Sequence, residues 1–188
     1  MTFHLSSSRT GPGSIRLRAR ALLDADQVRH DNAVMTDALV RLAVEADAGE
    51  IATMSRSYIE QGLGWSWRQS RVLQAIRDPA TNVALMTLGD GILGFGIMKY
   101  RDETAHLTLF AIRPEHRNQG LGSMLVSWLE KPALVAGVER VRVEARADNQ
   151  QAITFYERLG FKQMATVRGY YGGLVDAIQL EKRLLPSK

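Results

Sequence analysis

Apolar residues recur along this chain with two different periods, and the switches between them mark its elements. ALVRLAV (38–44) is an apolar run broken by a single arginine and predicts a first strand. Ala46 to Gly62 then carries Ile51, Met54, Tyr58 and Ile59 at helical spacing. GLGWSW (62–67) interrupts that helix, and Arg68 to Arg77 resumes with Val72, Leu73 and Ile76 apolar. Asp78-Pro79 stops it, because proline disfavours helix in the residue before it. NVALMTL (82–88) and ILGFGIMKY (92–100) read as strands joined by Gly89-Asp90-Gly91, a tight hairpin signal. Thr104 to Arg113 is a third strand in this run, ended by Pro114. A glycine-rich turn opens a helix from Gly120 to Val135, which Pro132 is expected to kink or shorten. Arg140 to Arg146 alternates Val141, Val143 and Ala145 against Arg142, Glu144 and Arg146, as a strand does. Asn149 to Leu159 is helical and closes at Gly160, and strands near 161–168 and 174–183 finish the pattern.

The order is strand, two helices, three strands, helix, strand, helix, two strands, and it predicts a mixed α/β sheet with helices on both faces. A chain of 188 residues suits one such domain plus an appendage. The expected division is an N-terminal arm over 1–36, with a short helix from Ala19 to Ala33, and a domain over 37–185. No run approaches the roughly 18 apolar residues of a membrane span. The chain has no cysteine, which excludes disulfides, a thiolate nucleophile and thiolate metal sites and agrees with a reducing cytoplasm as its location.

The net charge of +4 raises the question of nucleic acid. Residues 1–23 hold Arg9, Arg16, Arg18 and Arg20 and no acid, so the 20 other basic residues face 20 acidic ones in the remainder. The basic character belongs to the arm, and a nucleic-acid partner, which needs a basic face on the domain itself, is disfavoured. The arm is Ser- and Arg-rich like a transit peptide but lacks an apolar core segment; a loosely docked extension is the simpler account.

The candidate chemistry lies after the 104–113 strand, in Arg117-Asn118-Gln119-Gly120-Leu121-Gly122-Ser123. Glycines let a backbone approach a ligand closely, and the first N–H groups of the following helix have no partner inside it. Those donors, the positive end of the helix dipole and the Arg117 charge together make a cradle for phosphate. The loop is neither a P-loop nor a full dinucleotide fingerprint, and a short glycine pattern is weak evidence alone. A second motif follows about 30 residues downstream, N-x-x-A-x-x-F-Y-E-x-L-G-F over 149–161.

With AIRPEHRNQGLG (111–122) and that run at this spacing, the chain resembles the GNAT superfamily of acetyl-CoA-dependent N-acetyltransferases over about Ala38 to Leu184. The resemblance implies a mostly antiparallel twisted sheet of about seven strands, with a V-shaped splay between two parallel strands, 104–113 and 140–146. It also implies acetyl-CoA as the cofactor and no metal. The backbone of Phe110, Ala111, Ile112 and Arg113 would face the acetyl group and pantetheine arm, with the Ile112 N–H as donor to a developing oxyanion. The N–H groups from Arg117 to Ser123 would hold the pyrophosphate. Asn149, Ala152, Phe155 and Tyr156 would flank the distal arm and the thioester.

An acceptor amine must lose a proton and the departing thiolate must gain one. By the resemblance Tyr156 is the candidate acid; the alternative is an aromatic packed beside Phe155. The carboxylate usual on the first of the splayed strands is missing, since Leu107, Thr108, Leu109 and Phe110 stand there. Glu144, in VRVEARADN, is similar to the glutamate of the ribosomal-protein N-terminal (RimI-type) branch; either it is the base or it pairs with Arg142 or Arg146 on a solvated face. His106 and Glu60 are further options for the base. Tyr58, Glu60, Trp65 and Tyr170, with Trp67 and Tyr171, fall in segments that border acceptor sites in the superfamily, although packing explains aromatics equally well.

VRGYYGGLVDAIQLEK (167–182) also resembles that branch, so the expected acceptor is a primary amine and foremost a peptide or protein N-terminal α-amine. A small-molecule amine (a polyamine, an aminoglycoside or an amino acid) and a catalytically silent acetyl-CoA-binding module are the alternatives. A homodimer stays open.

Overall fold

Alternating and apolar runs build one sheet, and a computed structural model of the chain describes residues 37–184 of it. The basic arm and its expected helix lie outside the described residues. The strands are β1 (Ala38–Leu42), β2 (Thr81–Leu88), β3 (Gly91–Arg101), β4 (Thr104–Ile112), β5 (Arg140–Arg146), β6 (Lys162–Tyr171) and β7 (Val175–Arg183). The helices are α1 (Ala48–Tyr58), α2 (Gln69–Arg77), α3 (Leu121–Val135) and α4 (Gln150–Arg158), with single 3-10 turns at Glu45–Asp47 and Pro114–His116. The sheet order is β1-β2-β3-β4-β5-β7-β6, and β4–β5 is its parallel pair.

Helices cover both faces. One core joins Leu107, Val141, Val143 and Ala145 of the sheet to Leu125, Leu129 and Ile153 of α3 and α4. The other joins Phe95, Ile97, Leu109 and Ala111 to Ile51, Met54, Val72 and Ile76 of α1 and α2. β3 comes close to its neighbours through two glycines. A Cβ on Gly96 would stand 2.6 Å from Leu129 Cδ1, and one on Gly94 would stand 2.8 Å from the Ala111 carbonyl oxygen.

The feature that shapes the site is an irregularity in β4. Its register with β3 steps from Ile97↔Leu109 to Met98↔Leu107, which leaves Thr108 unpaired. Such a bulge reverses the alternation of side chains beyond it. Ala105 and Leu107 therefore face α3, whereas Leu109 and Ala111 face α1 and α2. The parallel ladder ends at the same place: Thr104–Leu107 pairs with Arg140–Val143 and no further. Beyond it β4 stays with β3 to Ile112, and β5 stays with β7 to Arg146. This is the expected V-shaped gap.

The expected elements are present with bounds shifted by a few residues. The first helix is shorter than its apolar spacing implies, because residues 45–47 form a 3-10 turn and the helix ends at Tyr58. β6 runs on to Tyr171, past the expected end near 168. Of the two effects expected of Pro132, a kink or a shortening, the shortening is absent: α3 continues to Val135. Proline there forgoes one hydrogen bond in the last turn, its ring is buried, and its carbonyl still accepts from Ala136 N–H at 3.0 Å.

Candidate active site

The turn between β4 and α3 is held open by backbone conformation. Asn118 has φ +60° and Gly120 has φ +81°, the left-handed region. Gly120 is the N-cap of α3, and among the described residues no side chain caps that helix, so its first N–H groups point outward unclaimed. α4, by contrast, is capped by Asn149, whose Oδ1 accepts from Ala152 N–H at 3.0 Å. Gly122 is where the two helices meet: a Cβ there would stand 3.1 Å from the Phe155 ring. Arg117 is steadied by its Nε donating to the Ile112 carbonyl at 3.1 Å.

These segments enclose a cleft of about 450 Å³. Of the residues expected to bind the cofactor, Phe110, Ala111, Ile112, Arg117, Asn118, Gly120, Gly122, Ser123, Asn149, Ala152, Phe155 and Tyr156 line it. Gln119 and Leu121 do not: the Gln119 amide donates to the Glu115 carbonyl, and Leu121 is buried in the core. Arg113 also turns away. Its guanidinium donates to Glu50 Oε1 at 2.7 Å and to Tyr58 Oη at 3.5 Å, bracing α1 against the end of β4. Gln151 and Arg158 line the cleft without having been expected, although α4 periodicity places both on the face of Phe155.

Tyr156 packs in an aromatic cluster, with ring centroids 5.1 Å from Phe155, 5.5 Å from Phe161 and 6.3 Å from Phe110. Burial, with a smaller contribution from Tyr171, pushes its phenol well above the usual tyrosine range. Its hydroxyl has no hydrogen-bond partner among the described residues, and the residue lines the cleft.

Glu144 lies just beyond the last parallel pair, on the sheet face opposite Val143 and Ala145 and therefore across the sheet from Tyr156. Its side chain is 5% exposed, so it is not on a solvated face. It meets His106 Nε2 at 2.5 Å, Arg142 Nε at 3.0 Å, Gln179 Nε2 at 3.3 Å and the Tyr170 hydroxyl at 3.4 Å. Burial raises its pKa, but the hydrogen bond and charge of His106, the Arg142 charge and Gln179 outweigh it and hold the carboxyl below its ordinary value. Arg146 turns instead to Asp148 at 2.9 Å and to the Gln61 carbonyl at 3.0 Å.

Among the residues expected at the acceptor side, Tyr58 reaches the cleft and Tyr170 reaches Glu144. Glu60 and Trp65 are elsewhere. Glu60 is buried under the 62–67 loop and accepts from Ser55 Oγ, Ser66 N–H, Ser66 Oγ and Trp67 N–H at 2.6–3.2 Å. Those bonds lower its pKa against the opposing effect of burial. Among the described residues, no three His, Cys, Asp or Glu side chains gather as a metal site would require.

Residues 49–161 match the model of the acetyltransferase (GNAT) family. The [ribosomal protein bS18]-alanine N-acetyltransferase of Salmonella typhimurium is 35% identical over 86 residues, which are 46% of this chain and 58% of that enzyme. The chain thus matches little more than half the length of that curated relative. The crystal structure of the Escherichia coli ribosomal-protein-S18-alanine N-acetyltransferase is similar at a TM-score of 0.66 and 25% identity, over 80% of this chain and 96% of that one. Arabidopsis thaliana NAA60 in complex with acetyl-CoA shares the fold at a TM-score of 0.68 and 15% identity, over 78% of this chain and 98% of its own.

Proposed function

The chain belongs to the acetyltransferase (GNAT) family, and on that premise we propose that it transfers an acetyl group from acetyl-CoA to the α-amine of a peptide or protein N-terminus. The observation that carries the proposal is the uncapped start of α3, with Arg117 beside it, opening into a cleft that is also lined by Tyr156, whose hydroxyl has no hydrogen-bond partner among the described residues. The cradle suits coenzyme A, because the unclaimed N–H groups of Gly120 to Ser123 and the Arg117 guanidinium match a pyrophosphate. The bare Cα of Gly122 lets the start of α3 pack against the Phe155 ring of α4. Asn149, Ala152 and Phe155 line the path of a pantetheine arm along α4.

Acetyl-CoA supplies an activated thioester. The work of the chain is to bring an amine to it and to move two protons. Tyr156, protonated at any working pH because burial raises its pKa, donates its proton to the departing thiolate. Glu144, ionised because His106, Arg142 and Gln179 stabilise its charge, accepts the amine proton, directly or through a water. Tyr156 lines the cleft and Glu144 does not; in this reading the two act on one centre from opposite faces of the sheet, through the gap between β4 and β5. A peptide acceptor is favoured because the Salmonella relative acts on the alanine of a ribosomal protein, as its name states.

The test is thiol release from acetyl-CoA with short free-amine peptides, polyamines and aminoglycosides, comparing wild type with Glu144→Gln. Turnover of peptides, cut at least tenfold in the variant, supports the proposal. Turnover of only small amines moves the acceptor class, and tight acetyl-CoA binding with no turnover at all points to a silent binding module.

A further inference from the structure

The 62–67 loop is a built surface with no role in the cleft. Arg56 lies over the Trp65 ring at 5.0 Å, Arg68 over the same ring at 5.6 Å, and Arg71 over Trp67 at 4.3 Å. All three arginines are exposed, and among the described residues none has a carboxylate partner. Among other exposed guanidiniums, Arg41, Arg77 and Arg142 are claimed by Asp47, Glu45 and Glu144. The one acid close in sequence, Glu60, is buried beneath the loop with its oxygens committed to Ser55, Ser66 and Trp67. That clamp fixes the loop, so the indoles and the guanidiniums on them form an ordered ledge. A guanidinium stacked by its face on an indole still presents its N–H edge, which suits a carboxylate.

The ledge adjoins the acceptor side. Arg146 ties the Gln61 carbonyl to β5 at 3.0 Å, two residues beyond Glu144 and on the same strand face. Two strand residues span about 7 Å, and the four residues from Gln61 to Trp65 span at most about 14 Å. With roughly 10 Å more for the Arg146 side chain and its hydrogen bond, the Trp65 end of the ledge lies within about 30 Å of Glu144, the reach of roughly nine extended residues.

We propose that this ledge selects acceptor peptides with acidic side chains within about positions 3 to 9 after the free amine, a specificity that rests on the peptide acceptor proposed above. An acidic polypeptide fits better than RNA for two reasons. The indole rings that would stack bases are already covered by guanidiniums, and beyond residue 23 the chain's charge is balanced, without the extended basic face that RNA requires.

The experiment uses the full chain and peptides sharing their first two residues, with Asp/Glu, Ser/Gly or Lys at about positions 3 to 9. Thiol release gives kcat/KM, and fluorescence anisotropy with CoA present gives Kd for the N-acetylated peptides. Acidic peptides should exceed lysine peptides by about tenfold in kcat/KM, and the advantage should shrink in high salt. In the triple variant Arg56→Glu, Arg68→Glu, Arg71→Glu the ranking should invert towards lysine peptides, with thermal midpoint and acetyl-CoA affinity reporting that the fold is intact. Should the triple variant not fold, Arg71→Gln alone should still narrow the acidic preference. Equal turnover of all three peptides, a preference that survives the variants, or a ledge that binds an RNA oligonucleotide in preference to the acidic peptide overturns the proposal. Absence of turnover with variant-sensitive binding of acidic peptides would overturn the peptide-acceptor reading and leave the ledge standing.

Discussion

Replacing Tyr156 by phenylalanine separates chemistry from packing. The ring contacts with Phe155, Phe161 and Phe110 survive the change, since they involve the ring and not the oxygen. The hydroxyl makes no hydrogen bond among the described residues of a side chain that is 5% exposed. Removing an unpaired, largely enclosed hydroxyl forfeits no bond and relieves desolvation, which costs about 1–3 kcal/mol for a fully enclosed group and less for one that opens on a cleft. Stability should therefore stay level or rise by up to about 1 kcal/mol, a shift in thermal midpoint of at most about 4 °C in a domain of this size.

The rate should move the other way. A positioned general acid contributes about 10²- to 10⁴-fold, or roughly 3 to 5 kcal/mol of barrier. Thermal unfolding and acetyl-CoA titration should read as wild type or better, while kcat for thiol release falls at least about a hundredfold. A variant that keeps a third of wild-type kcat would refute the acid role and leave Tyr156 a packing residue. A loss of stability beyond about 1 kcal/mol would refute the account of its hydroxyl as unpaired.

Three further outcomes follow from the same geometry. Glu144 has its pKa lowered and Tyr156 has its pKa raised, so the proposed base is ionised and the proposed acid protonated throughout the neutral range; kcat/KM should climb as the acceptor ammonium loses its proton and show no alkaline fall below about pH 10. Profiles for two peptides of different amine pKa should be displaced by that difference, and coincident profiles would contradict it. Arg117 and Arg158 are the two cationic side chains that line the cleft; if Arg158 meets the 3′-phosphate, Arg158→Ala should weaken CoA about fivefold by calorimetry and leave dephospho-CoA unchanged. Glu60→Gln sets an amide donor against the donors of Ser66 and Trp67 and should cost about 2 kcal/mol at neutral pH. Because the Glu60 pKa is lowered in the fold, its stabilisation is complete above the ordinary carboxylate range and is lost as pH falls through the lowered value. The two melting curves should therefore converge in acid, and a constant difference would contradict the role given to its charge.

The fold was legible wherever period and punctuation agreed. Gly89 turns the β2–β3 hairpin at φ +54°, as the Gly-Asp-Gly signal requires, and Val141, Val143 and Ala145 all point into one core. Ends were less legible. Residues 45–47 share the composition of the helix that follows but coil more tightly, with Asp47 drawn back to Val44 N–H and to Arg41. Pro132 misled because the cost of a proline depends on where in the helix it falls, and one buried in the last turn gives up a single bond.

For the candidate site the dividing line is contact range. Twelve of the residues expected along the cofactor path line the cleft because they fall in two short continuous motifs whose conformation is set by their own glycines and cap. The surroundings of Glu144 come from positions 106, 142, 170 and 179, brought together only by strand register. Register is what sequence period specifies least well here, because a one-residue slip reverses every face. The unpaired Thr108 imposes such a slip within β4. Without it Leu109 would share the face of Leu107 and Phe110 would turn away from the cleft; with it Phe110 and Ile112 line the cleft beside Tyr156. The divergence of β5 at the same level leaves Glu144 at the far side of the gap. Insertion of one residue and loss of one ladder thus create an opening between β4 and β5, with Tyr156 and Glu144, the proposed acid and base, on opposite faces of a single sheet.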